Sequence, residues 1–206
     1  MTKIKNVIFD FDGTLADTLD LALAFATANH GKYSEISITR EEFRDRSMRE
    51  VFKFIEMPWY KVPQLLIDMK RELKKNLDRV ALFDGIPEFI KALKDQNLDL
   101  FIMSSNSQEN IEGILALKGI DKCFKDIVSS SLFGKHFALE SLFKKHSLLK
   151  EESVYIGDEI RDAEACKKVD LTMLGVSWGW DSATRLGKIE ELEIANSPGE
   201  LLTLLK

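Results

Sequence analysis

Two aspartates at alternate positions, Asp10 and Asp12, are the residues of this chain best placed to do chemistry. They follow a short apolar run, Val7-Ile8-Phe9, of the kind that fills a buried parallel strand. In an extended chain, residues two apart point the same way, so both carboxylates face one site and Phe11 turns away from it. Gly13 then frees the backbone to turn sharply, and Thr14 adds a hydroxyl and an amide. Like charges held this close repel, and a fold keeps them where a cation or a reaction uses them. A lone Asp-Gly pair is ordinarily a solvated turn. Its place straight after an apolar strand favours the functional pair.

Three more polar groups stand where apolar runs end. Ser104-Ser105-Asn106-Ser107 closes the run 98–103, and a hydroxyl there can hold a phosphate oxygen beside the amides of a helix start. Simple N-capping is the competing role, and Ser107 suits it. Gly134-Lys135-His136 follows a short apolar pair; a lone lysine is ordinarily a solvated charge. Gly157-Asp158 follows Val154-Tyr155-Ile156, with Asp162 four residues on and so on the same helical face. Acidic residues at a helix start also need no function beyond meeting its dipole. His30, His136 and His146 lack the spacing of a zinc site. The loop Trp178-Gly179-Trp180 borders the same region, with packing as the expected work of its indoles.

The elements that must position these residues alternate. Strands are expected up to Phe9, over 98–103, at Ile127-Val128, over 154–156, over 171–176 and, weakly, near Ile194. Helices are expected over 87–96, 108–118, 136–146, 160–168 and from Pro198 onward. This alternation predicts an α/β fold: a Rossmann-like parallel sheet covered on both faces, with ligands at the carboxyl ends of its strands. Residues 17–80 break the pattern. They read as helix 17–28, a capping box from Thr39 to Glu42, a broken stripe through Phe43, Met48, Val51, Phe52 and Ile55, and helix 62–77. No buried strand is evident there. The expected division is a core of 1–16 and 81–206 with an all-helical cap, 17–80, inserted after the first strand.

The 206 residues are 45% hydrophobic and 31% charged, enough for one substantial core with a smaller insert. A net charge of -5 and a pI near 5.4 argue against a nucleic-acid or acidic-membrane surface. No apolar run approaches the roughly 20 residues that span a bilayer. The apolar stretch near the N-terminus is too short for a signal peptide, and Cys123 and Cys166 read as free thiols, so a cytoplasmic protein is expected. Neither a P-loop nor a dinucleotide fingerprint is present.

The run DFDGTLADT, 10–18, resembles the first motif of the haloacid dehalogenase superfamily in its phosphatase form. The other groups fall where that resemblance wants them. Ser104 matches the second motif, Lys135 in SLFGKHFAL the third, and Asp158 with Asp162 in GDEIRDAEA the fourth. The insert is similar to the helical cap of the phosphoglycolate-phosphatase-like and beta-phosphoglucomutase-like branch. The resemblance implies attack by Asp10 on the phosphorus of a small phosphorylated metabolite, with Asp12 as acid and base. It implies Mg2+ held by Asp10, Asp158 and the backbone carbonyl of Asp12, with Asp162 in support. Ser104 and Lys135 would hold the phosphoryl oxygens, with Gly13, Thr14, Ser105 and Asn106 as further phosphate contacts. Asp12 favours phosphoryl chemistry, because the dehalogenase branch lacks that second aspartate.

The alternatives are a phosphomutase, a receiver-like switch, and a silent binding protein. Arg44, Arg46 and Arg49 in the insert are expected as a solvated face rather than as anion ligands. Monomer and weak homodimer are both compatible with the sequence.

Overall fold

The computed structural model describes residues 3–34, 36–130 and 134–205. Its central strand is β1, Asn6–Phe9, buried throughout. Around it lie β4 (Asp99–Ser104), β5 (Phe124–Ser129), β6 (Ser153–Gly157), β7 (Thr172–Val176) and β8 (Glu193–Ala195). Every pairing among them is parallel, in the order β5-β4-β1-β6-β7-β8. The order therefore reverses at β1, and a crevice opens at the carboxyl ends of β1 and β6, where such sheets take ligands.

The pleat of β1 explains why its run is apolar without alternation. Val7 and Phe9 enter one core with α5 (Ile86–Asp95), α6 (Gln108–Leu117) and α10 (Pro198–Leu204). Ile8 enters the other, with α7 (Lys135–His146) and α8 (Ile160–Lys168). Phe9 meets Phe89 and Phe124 edge-on at 6.1 and 6.2 Å. Register carries the strand one step further: Asp10 N–H donates to the Ile156 carbonyl at 2.8 Å, which sets Asp10 beside the end of β6.

The stretch between β1 and β4 is flanked by an antiparallel ribbon of two-residue strands, β2 (Ala16–Asp17) and β3 (Ala81–Leu82). Between them stand α1 (Leu19–Ala28), α2 (Arg40–Arg44), α3 (Met48–Phe54) and α4 (Val62–Lys75). The capping box of Thr39 and Glu42 is formed, and a second joins Ser47 and Glu50. These helices share a hydrophobic cluster of their own, including Leu19, Phe43, Val51, Ile55 and Leu65, against which Trp180 of the core packs.

Several elements depart from the sequence reading. The ribbon escapes it because two residues carry no period. The pair Ile127-Val128 belongs to six-residue β5, an edge strand whose half-exposed, polar neighbours hide its length. The helix expected over 62–77 ends at Lys75, and a 3₁₀ turn, Leu77–Arg79, follows. One short helix, α9 (Ala183–Leu186), capped by Ser182, was not expected. Both cysteines are free thiols. Among the described residues no helix is long and apolar enough to cross a membrane.

Candidate active site

Each strand of the reversal delivers one polar group at its carboxyl end. Asp10 follows β1, Ser104 ends β4, Lys135 opens α7 beyond β5, and Asp158 follows β6. The first three residues of SLFGKHFAL lie outside the described residues. Gly134 and Lys135 are described, and Lys135 is 3% exposed.

Lys135 Nζ donates to Asp10 Oδ2 at 2.7 Å and to Asp162 Oδ1 at 2.5 Å. It also lies 3.2 Å from the Tyr155 hydroxyl. Asp10 Oδ1 accepts from the Phe11 N–H at 2.7 Å. Asp158 is closed off from solvent; its Oδ1 accepts from the Thr14 hydroxyl and its Oδ2 from the Trp180 N–H, both at 2.6 Å. Two glycines make room for it. A Cβ on Gly13 or on Gly179 would come within 2.2 Å of Asp158 Oδ2, and Gly13 also holds φ at +86°. Asp12 stands apart. Its carboxylate accepts from Ser104 Oγ and Asn106 Nδ2, both at 3.1 Å, and it keeps part of its surface open.

Charge is out of balance in this pocket. Around Asp10 and Asp158, the carboxylates of Asp10, Asp158, Glu159 and Asp162 face the cations of Lys135 and Arg161. Fully ionised, four carboxylates would outnumber two cations, an imbalance that a divalent cation would offset and that otherwise shows as a raised affinity for protons. Burial, opposed by Lys135 and reinforced by Asp162, pushes Asp10 from 3.8 up to about 7. Burial, then Glu159 and Asp10, drives Asp158 well above the carboxylate range. Asp12 is raised by burial, against the hydrogen bonds of Ser104 and Asn106. Lys135 moves the other way from most buried amines: desolvation opposes its charge, but Asp10 and Asp162 hold it firmly protonated.

The donor set answers to a hard cation. Asp10, Asp158 and Asp162 each bring a carboxylate oxygen within 4.8 Å of the others. An all-oxygen cluster of this kind suits a divalent ion that favours oxygen ligands. Asp12 is not in that cluster through its side chain.

Most residues singled out from the sequence therefore meet around one crevice, with altered partners for some. Thr14 turns its hydroxyl to Asp158. Asn106 directs its amide at Asp12, and its own carbonyl accepts from Ser107 N–H and Asn110 Nδ2. Ser105 is half-buried beside them. Trp178 does more than pack, donating from Nε1 to the Thr14 carbonyl at 3.1 Å. Arg44 is not a solvated charge: its guanidinium donates to the carbonyls of Gly179 and Ser177. Arg46 lies over the Phe54 ring at 4.3 Å, and Arg49 is exposed. Tyr155, Glu159 and Arg161 are the residues of this pocket that the sequence reading left out of its candidates. A hydroxyl-bearing ring inside an otherwise apolar buried strand was the available signal for Tyr155.

A parallel sheet that gathers carboxylates, a lysine and a hydroxyl at its reversal is the scaffold of an enzyme rather than of a structural module. A family model described as haloacid dehalogenase-like hydrolase matches residues 7–176. Phosphoglycolate phosphatase of Synechococcus elongatus is 30% identical over 203 residues, covering 97% of this chain and 96% of its own. Pyrophosphatase PpaX of Listeria innocua is 26% identical over 212 residues, covering 99% and 97%. Among solved structures, one described as a predicted phosphatase from Clostridium acetobutylicum superposes with a TM-score of 0.81 at 21% identity, covering 99% of both chains. The chain belongs to the haloacid dehalogenase-like hydrolases, in their phosphoglycolate-phosphatase-like branch, and it is an enzyme.

Proposed function

We propose that this enzyme hydrolyses a small phosphate monoester, using Mg2+ and forming an aspartyl-phosphate on Asp10. One observation carries the reading: Asp10 and Asp158 are buried at the carboxyl ends of adjacent central strands, in a pocket whose carboxylates outnumber its cations, with Lys135 bonded to Asp10. Asp10, Asp158 and the backbone carbonyl of Asp12 would hold the cation, with Asp162 fixing Lys135 behind them. When bound, the cation supplies the charge that lets a phosphate dianion approach these carboxylates.

Asp10 is the nucleophile: a carboxylate oxygen bonds to phosphorus as the bond to the ester oxygen breaks. Lys135 favours the ionised form of the attacking group against its burial and steadies the phosphoryl oxygens. Asp12, raised by burial, gives its proton to the departing alkoxide. It then takes a proton from the water that cleaves the phosphoaspartate, returning free phosphate and Asp10. Ser104 and Asn106 aim Asp12 at that position through the hydrogen bonds they donate. Gly13 and Thr14, with Ser105, line the phosphate side of the crevice.

Residues 17–80 are proposed to act as a cap that selects the ester, hinged at the ribbon of β2 and β3. The named relatives favour a compact, strongly anionic substrate: phosphoglycolate, a monoester, or pyrophosphate, an anhydride whose leaving group is phosphate. A soluble, cytoplasmic monomer or weak homodimer fits the acidic surface charge.

Phosphate release from a panel containing phosphoglycolate, pyrophosphate, sugar phosphates, nucleotides and an aryl phosphate tests the reading. Mg2+-dependent release that disappears in Asp10→Asn is expected. Full activity in that variant, with contamination excluded, would overturn it. Isomerised sugar phosphate without free phosphate would assign a mutase instead.

A further inference from the structure

Arg44 ends α2, in the helical insertion, and both described hydrogen bonds of its guanidinium go to main-chain carbonyls of the core. Nε donates to the Gly179 carbonyl at 2.7 Å and Nη2 to the Ser177 carbonyl at 2.5 Å. The Gly179 carbonyl shares one peptide group with the Trp180 N–H. That N–H is the donor to Asp158 Oδ2 at 2.6 Å. No described peptide is cis, so the carbonyl and the N–H point in opposite directions. Arg44 thus grips one side of a single planar group whose other side grips Asp158.

A charge-assisted bond to a carbonyl polarises the peptide and strengthens its N–H as a donor. The geometry is held from three more directions. Ser182 N–H donates to the Arg44 carbonyl at 2.9 Å. The rings of Phe43 and Trp180 meet edge-on at 5.5 Å. Gly179 has no Cβ, and any Cβ there would collide with Asp158.

We propose that Arg44 is a positioning residue that orients Asp158 through the peptide between Gly179 and Trp180, coupling docking of the insertion to readiness of the cation site. The inference rests on the reading that Asp158 holds a divalent cation. Coupling of this kind is reciprocal: a cation on Asp158 stabilises the docked insertion to the extent that docking strengthens cation binding.

Calorimetric titration of Mg2+ into the substrate-free protein tests it without recourse to activity. Arg44→Ala is expected to weaken Mg2+ binding by about tenfold, the lower end for loss of a group supporting a metal ligand. Arg44→Lys, able to keep one donor on a carbonyl, is expected to lose less. Phe43→Leu loosens the ring contact but leaves the peptide bridge, so it is expected to stay within about twofold of the parent, a difference below half a kcal/mol. Folded Arg44→Ala within that same range, or Phe43→Leu falling as far as Arg44→Ala, would overturn the proposal. Should Arg44→Ala fail to fold, Arg44→Lys with unchanged affinity would overturn it, and a loss confined to Arg44→Lys would support it. Absence of Mg2+ binding by the parent chain, or its retention in Asp158→Asn, would instead sink the cation reading itself.

Discussion

Burial, opposed by Lys135 and reinforced by Asp162 and Glu159, pushes Asp10 from an ordinary 3.8 up to about 7. A folded-state pKa raised above the unfolded one has a definite sign. The folded form holds its proton longer, so this group's stabilising contribution is complete below about pH 4 and is lost as the pH climbs through about 7. Without metal, the melting temperature is therefore expected to fall between pH 5 and pH 8. Mg2+ should raise it more at pH 8 than at pH 5, since the cation competes with protons for the same oxygens. Thermal melts with EDTA and with Mg2+ at both pH values check this; a metal-induced rise that is larger at pH 5 would contradict it. Asp10→Asn removes both the proposed nucleophile and one of the crowded carboxylates. Turnover is expected to drop by at least ~10³-fold, by analogy with loss of other nucleophiles, while the metal-free melting temperature rises. Calorimetry beside a phosphate-release assay reads both. At this scale the sequence was informative where the crevice is built of side chains: Asp10, Asp12, Ser104, Lys135, Asp158 and Asp162 were all named from it and meet at the strand ends. It was silent on the Trp180 N–H, because a backbone donor has no residue type. It was also silent on the partners of Thr14 and Asn106, because a polar tip can turn to any neighbour within reach.

Among the elements, the helices α1 to α4 between β2 and β3 share a hydrophobic cluster distinct from those on the two faces of the sheet, although Leu73 of α4 joins the sheet's core. Such a unit can loosen on its own. Leu65→Ala, at a position 6% exposed, is expected to destabilise by about 2–5 kcal/mol. The loss should be local: amide exchange should speed up in α1, α3 and α4 while β1, β4 and β6 keep their protection. Equal loss of protection across the sheet would show that insertion and core melt as one. The capping box of Thr39 and Glu42 was legible because its two partners sit three residues apart in the chain. The ribbon of β2 and β3 was not, because its strands meet across the whole insertion and are too short to show a period. Edge strand β5 was seen only at its apolar centre for a related reason: one side of it is not covered.

At the scale of the whole molecule, the strand reversal at β1 is where the candidate site lies, and a haloacid dehalogenase-like hydrolase is proposed to act there. EDTA is expected to abolish phosphate release and added Mg2+ to restore it; activity that survives exhaustive chelation would contradict the metal requirement. The topology was readable because alternating strands and helices leave few ways to build a parallel sheet. The docking of α2 onto the loop after β7 was not, since it depends on long-range geometry that no local pattern encodes. That same sheet order has a consequence for how the chain reaches its native state. β1 is made early but lies at the centre, and its neighbours are β4, which opens at Asp99, on one side and β6, which opens at Ser153, on the other. Thr14 must wait for Asp158, 144 residues away. The helices of the insertion close over short loops, whereas both strand pairings of β1 must close long ones. Refolding should therefore show helical signal well before catalytic competence returns. A chain released before β6 is synthesised would carry an apolar central strand with one side unzipped, open to pairing with the wrong molecule.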